Sequence, residues 1–181
     1  MKKINDLKIY SQKNFVTESF DRAEVLQCVL HNKRKNSGRQ SGYNFLVDVD
    51  HNGFFSALYS RFFNLCSTQF RFTPAELNSS AVWAYVSDSQ DFHEYWHDHS
   101  RTSTINGVYY LEVPDGHASI DFRGTSSEEV FTYGPEKNEL VVFPGDLPHK
   151  PNRCYSPGYR VSINVEIICK ETFAEVFSSS L

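Results

Sequence analysis

The stretch YWHDHSRTSTINGVYYL, residues 95–111, sets two histidines one residue apart, with an aspartate between them, directly ahead of a run that reads as a buried strand. Successive side chains of an extended segment point to opposite faces, so His97 and His99 share one face and Asp98 takes the other. Around this stretch the chain breaks into short apolar runs: AVWAYVS from Ala81, INGVYYLEV, ASIDFRG, VFTYG, ELVVFP and YRVSINVEII. PDG, GTSS, GPEKN, PGDLP and YSPG separate them, and these Gly, Pro, Asn and Asp clusters are turn formers. Six short strands with no helix between them predict an antiparallel sandwich or barrel, not an array of βαβ units.

The N-terminal half has a different period. In FDRAEVLQCVLHNKRKN, from Phe20, Asp21 and Glu24 are spaced as a capping box, and Val25, Leu26, Val29 and Leu30 recur at helical spacing. The basic run NKRK suits the negative end of that helix's dipole, which explains it without a binding patch. After a loop, NSGRQSGYN, the segment HNGFFSALYSRFFNLC carries Phe55, Leu58, Tyr59, Phe62, Phe63 and Cys66 as one apolar stripe. Residues 1–80 are therefore expected to form a helical support region, 81–168 a β core, and 169–181 a short helix or frayed tail.

A chain of 181 residues holds one domain. A net charge of -4 offers no field for bulk nucleic-acid binding. Fifteen Phe, ten Tyr and two Trp favour a β-rich core, since flat rings pack well on pleated surfaces. The four cysteines form no CxxC pair and read as free thiols of a reduced compartment. With no signal-peptide or membrane-length apolar run, a cytoplasmic protein without membrane contact is expected. Oligomeric state is open.

A third histidine, His149, follows the strand-ending turn in ELVVFPGDLPHKPN and begins the next strand. Across the mouth of a sandwich it can meet His97 and His99 and complete a metal site. On spacing alone, three unrelated histidines account for the pattern equally well. His31, His51, His93 and His117 read as surface residues. In YRVSIN, alternation puts Arg160, Ser162 and Asn164 on one face. A guanidinium inside a barrel is costly unless an anion meets it, and a hydroxyl two residues on helps form a carboxylate fork. Asp and Glu are absent from this strand until Glu166, which makes a ligand the expected partner.

These elements together, HDH, NGVYYLEVP, ELVVFPGDLPHKP and RVSIN in that order, resemble the Fe(II)- and 2-oxoglutarate-dependent oxygenases of the prolyl-hydroxylase-like branch, over about Ala81 to Ile168. The resemblance implies a double-stranded β-helix, or jelly roll, with N-terminal helices buttressing one sheet. It also implies a dioxygenase that hydroxylates a small-molecule or peptide substrate while 2-oxoglutarate leaves as succinate and carbon dioxide. Fe(II) would be held by His97, His99 and His149. The far carboxylate of 2-oxoglutarate would meet Arg160, Ser162 and Tyr110, and ascorbate is a candidate auxiliary reductant. Tyr109 and Tyr110 cannot both face inward on one strand. Trp83, Tyr85, Trp96 and Arg101 are candidates for the entrance.

One departure matters: the commonest facial triad has two histidines and a carboxylate, and here His99 stands where the carboxylate is expected. Asp98 can serve only if the segment is not a regular strand. Two other classes compete. HDH and PGDLPHKPN also fit a cupin-like metal-binding jelly roll without 2-oxoglutarate chemistry, which lacks a role for Arg160 and the Glu expected after the histidine pair. The other class is an interaction domain that retains an inert metal site.

Overall fold

In the computed structural model, described for all residues except 5, 18–19, 36–49, 76–80, 90–94, 115–118, 125–128, 156 and 179–181, nine strands and three α-helices are assigned. They are β1 (Lys2–Lys3), β2 (Tyr10–Lys13), α1 (Arg22–Lys35), α2 (Phe54–Gln69), β3 (Ala81–Ser87), β4 (Ile105–Glu112), β5 (Ile120–Arg123), β6 (Val130–Tyr133), β7 (Glu139–Pro144), β8 (His149–Pro151), β9 (Arg160–Ile167) and α3 (Phe173–Ser178). A six-stranded sheet of order β1-β2-β7-β4-β9-β3 faces a three-stranded one of order β6-β5-β8, and every pairing is antiparallel. This is the double-stranded β-helix architecture, with helices against the larger sheet. The expected loop at 36–44 lies outside the described residues.

The expected helices form where capping supports them. Asp21 Oδ1 accepts the backbone N–H groups of Ala23 and Glu24 at 2.9 and 3.1 Å, satisfying two orphan donors at the start of α1. Asp50 accepts those of Phe55 and Ser56 at 3.0 and 3.1 Å, ahead of α2. Thr172 and Glu175 form a reciprocal capping box on α3, which is why the C-terminal segment is helical. The sheet also reaches into the N-terminal region: β2 pairs with β7 from Tyr10↔Val142 to Lys13↔Glu139. All four cysteines are free thiols. No helix among the described residues is long and apolar enough to cross a membrane.

Strand alternation divides the core in two. On β9, Val161, Ile163, Val165 and Ile167 pack with Val25, Val29, Phe54, Phe55, Leu58 and Phe62 of the helices. On the other face of the large sheet, Val108, Tyr110, Val141 and Phe143 meet Ile120 and Phe122 of the small sheet. Gly107 lies in the middle of β4 because a Cβ there would stand 2.7 Å from the Phe62 ring and 2.8 Å from Val165. The missing side chain lets α2 press directly onto the central strand.

Candidate metal centre and anion pocket

The segment carrying His97 and His99 is pinned to the strand end that carries His149. His97 and His149 exchange both backbone hydrogen bonds, at 3.0 and 2.9 Å, as an isolated antiparallel bridge. The His99 N–H donates to Gly145 O at 2.7 Å, and Gly145 N–H donates to Thr104 O at 3.0 Å. A Cβ on Gly145 would lie 2.0 Å from Ser103 O, so the glycine of the FPGD turn is what allows this close approach. Backbone ties on both sides of Asp98 thus place both imidazoles against His149.

Three imidazoles converge as a result. Each offers a ring nitrogen within 4.8 Å of the other two, and the centroids lie 4.4 to 5.4 Å apart. Every Nδ1 is matched by an oxygen acceptor: Tyr95 O at 3.3 Å for His97, Leu147 O at 2.9 Å for His149, and the Glu166 carboxylate at 2.8 Å for His99. A carbonyl or carboxylate oxygen accepts, so each Nδ1 is placed to donate and Nε2 is left as the nitrogen a metal would take. Burial pushes the pKa of His149 down to about 3, helped by His97, and burial also lowers that of His97. Both rings are therefore neutral near pH 7, the form a metal binds. This donor set fits a divalent first-row ion such as Fe(II) or Zn(II), and three protein ligands leave positions open to a co-substrate.

Asp98 takes no part. Its Oδ1 accepts the Ser100 N–H at 2.9 Å and the Ser100 hydroxyl at 2.6 Å, and those bonds lower its pKa. The side chain is exposed and closes a turn, as alternation requires.

Arg160, at the opposite end of β9 from Glu166, is 3% exposed. Its Nε donates to Ser87 Oγ at 3.1 Å and its Nη1 to the carbonyls of Asn152 at 2.8 Å and Ser119 at 3.4 Å, while the guanidinium lies 5.6 Å from the Tyr85 ring centroid. All of these partners are neutral. Among the described residues no carboxylate forms an ion pair with it. Ser162 and Tyr110 are directly opposite each other across β9 and β4, both buried and both facing the small sheet. Burial raises the Tyr110 phenol far above its ordinary pKa and Arg160 pulls it back, so the phenol is protonated and close enough to feel the guanidinium. Tyr109 takes the other face, where its hydroxyl donates to Asn138. A buried guanidinium with no carboxylate partner among the described residues, near a hydroxyl and a phenol, is a donor set of the kind a carboxylate takes.

The remaining sequence candidates separate. Trp83 lies against His99, with ring centroids 5.8 Å apart, and the Tyr85 ring lies under the Arg160 guanidinium. Trp96 stacks under Arg123 and Lys150, and Arg101 is exposed. His31 is exposed on α1, His51 opens the short turn before α2, and His93 and His117 lie outside the described residues. Two inward residues were not singled out from the sequence. Glu166 lies six residues along the strand from Arg160, and the alternation that turns Arg160 inward turns Glu166 inward as well. Asn106, opposite Glu166 on β4, is fully buried, and neither its amide nitrogen nor its oxygen has a hydrogen-bond partner among the described residues.

No family model matches the sequence, and no curated protein does. Solved structures do match. A prolyl hydroxylase of Trichoplax adhaerens, in complex with a hypoxia inducible factor oxygen degradation domain peptide fragment, is 16% identical with a TM-score of 0.60, over 88% of this chain and 83% of that one. A non-heme alpha-ketoglutarate-dependent carbocyclase from nogalamycin biosynthesis aligns at 10% identity and a TM-score of 0.58, over 88% and 78% of the two chains. A Pseudomonas putida prolyl-4-hydroxylase aligns at 13% identity and 0.52, over 90% and 88%. At such identities the likeness is one of fold, and the fold that this chain shares with these hydroxylases and the carbocyclase is the double-stranded β-helix.

Proposed function

We propose that this protein is an Fe(II)- and 2-oxoglutarate-dependent oxygenase that hydroxylates a peptide or small-molecule substrate. The observation that carries the reading is Arg160, a buried guanidinium without a carboxylate partner among the described residues, on the same inward strand face that leads to the three converging imidazoles. The fold it shares with a prolyl hydroxylase bound to a peptide fragment supports it.

His97, His99 and His149 hold the metal through Nε2, their Nδ1 bonds fixing ring orientation. Arg160, Ser162 and Tyr110 take the far carboxylate of 2-oxoglutarate, the phenol donating because it stays protonated. The apolar residues Val108, Val141 and Phe143 between the sheets keep bulk water from the space between the two sites. Fe(II), when bound, supplies the dioxygen chemistry, with 2-oxoglutarate as the reductant that leaves as succinate and carbon dioxide. Ascorbate fits as an auxiliary reductant that keeps the iron ferrous.

The test is an anaerobic titration of iron-loaded protein with 2-oxoglutarate, read by the weak visible charge-transfer band of a chelated 2-oxo acid. Arg160→Ala is expected to weaken 2-oxoglutarate by about 2 to 5 kcal/mol, the usual cost of removing one member of a buried charge pair, while iron binding is retained. Arg160→Lys should recover part of the loss, keeping the charge and losing the fork. Equal affinity in all three proteins would favour a cupin-like metal protein instead, the reading that the all-histidine ligand set independently suits.

A further inference from the structure

We propose that Glu166 is the missing carboxylate of this metal centre, acting as a positioning residue through His99 instead of on the metal itself. The inference rests on the reading of His97, His99 and His149 as metal ligands, and is independent of 2-oxoglutarate.

The geometry is specific. Glu166 is the last inward residue of β9 and its side chain is 3% exposed. A carboxylate so deeply placed needs a counter-charge or a set of donors. Among the described residues no Lys or Arg ion-pairs with it. Its Oε1 instead accepts from His99 Nδ1 at 2.8 Å, with the Thr102 hydroxyl 3.5 Å away. The residue across the strand pair, Asn106, has an amide that makes no bond to it. A buried carboxylate whose one strong partner is a single imidazole has little compensation of its own, and positive charge beyond the far nitrogen of that imidazole would supply it.

A divalent ion on His99 Nε2 supplies that charge. Two histidines and a carboxylate leave a divalent ion with one net positive charge, whereas three neutral histidines leave it with two. With Glu166 ionised on the outer side of His99, the assembly of ion, three rings and carboxylate again carries one. The carboxylate also draws the Nδ1 proton toward itself, which makes Nε2 a stronger donor and locks the ring plane. The carboxylate thus stands one imidazole outward from the metal, and the assembly as a whole, not the inner sphere, keeps the charge of the two-histidine, one-carboxylate centre.

Co(II) is the probe, titrated into metal-free protein and followed by its d–d absorption and by competition with a chelating indicator. Glu166→Gln, which keeps size and an acceptor oxygen and removes the charge, is expected to weaken Co(II) about 10- to 100-fold. The melting temperature of the metal-free variant should equal or exceed that of the wild type. The same substitution in a His99→Ala background should change affinity by less than about threefold, because the route to the metal is gone. Wild-type protein gives a test that depends on no variant: in the Zn(II)-loaded form, nitrogen-15 NMR of the histidine rings should show His99 metallated at Nε2 with a strongly deshielded Nδ1 proton. Unchanged Co(II) affinity in Glu166→Gln overturns the inference, as does an equal loss without His99 or metallation of His99 at Nδ1. Wild-type protein that takes up no Co(II) is a separate result, which overturns the metal centre itself.

Discussion

The two faces of β9 are built from alternate residues of one eight-residue strand and have opposite character. Toward the helices stand Val161, Ile163, Val165 and Ile167, all buried in an apolar layer completed by α1 and α2. Toward the small sheet stand Arg160, Ser162, Asn164 and Glu166, in register with Tyr110, Asn106 and the Trp83–Tyr85–Ser87 face of β3. The first face satisfies itself by exclusion of water alone. The second buries a cation, a carboxylate and an amide that has no hydrogen-bond partner among the described residues, and the neutral groups bonded to the two charges offset only part of the cost of burying them. One face therefore holds the fold, and the other holds the chemistry at some expense to it.

The largest effect that separates the faces belongs to the helix side. Phe62 is fully buried and its ring fills the notch over Gly107. Phe62→Ala should lower unfolding free energy by about 3 to 5 kcal/mol through lost burial and the cavity left behind. Metal affinity of the folded fraction should stay within a fewfold of wild type, as measured by urea unfolding alongside a Co(II) titration. Loss of affinity as large as the loss of stability would show that the two faces are not separable.

An intermediate effect belongs to the inward face and appears as pH dependence. The pKa of His149 lies at about 3 when folded, and that of His97 is also lowered, against an unfolded value near 6.5. Between those values the unfolded chain binds more protons than the folded one, so stability is present above about pH 6.5 and is lost as pH falls toward 3. The slope is roughly 1.4 kcal/mol per pH unit for each ring fully involved. Metal-free protein, kept so with a chelator, should show this loss in urea melts between pH 7 and pH 5. His149→Gln should remove most of it. A flat profile for the wild type would mean that His149 reaches water in solution.

The helix face was the easier one to read from the sequence, for the same physical reason. Apolar periodicity and turn residues are local, so all six β runs from Ala81 onward and both long helices were legible, with capping at Asp21 visible in advance. β2 was not, because YSQK is four mostly polar residues whose strand character comes from its partner β7. Strand order was equally hidden, as it depends on pairings between residues far apart in the chain. The inward histidines were legible through alternation, but the Glu166–His99 bond was not. That bond depends on how close the loop after Trp96 comes to β9, and the loop's position is set by Gly145, 46 residues beyond His99, through its contact with the Ser103 backbone.

The smallest expected effect sharpens the comparison most, because it asks whether the inner sphere contains a carboxylate at all. Asp98 is flanked by two ligand candidates and is the one acidic residue of the HDH motif, so any arrangement with two histidines and a carboxylate there must recruit it. Its carboxylate instead accepts two bonds from Ser100 and points to solvent. Reaching the metal would require breaking both and turning a segment whose neighbours on either side are tied by backbone bonds to His149 and Gly145. Asp98→Asn keeps an acceptor for the Ser100 N–H and removes only the charge, at a cost to folding of about 0.5 kcal/mol or less, as for an exposed polar change. Co(II) affinity should therefore move by no more than about threefold, mainly through the loss of a negative charge near the site that solvent already screens. A fall of a hundredfold would make Asp98 a ligand and displace His99 from the inner sphere, and the charge assigned to Glu166 would then have no metal to balance.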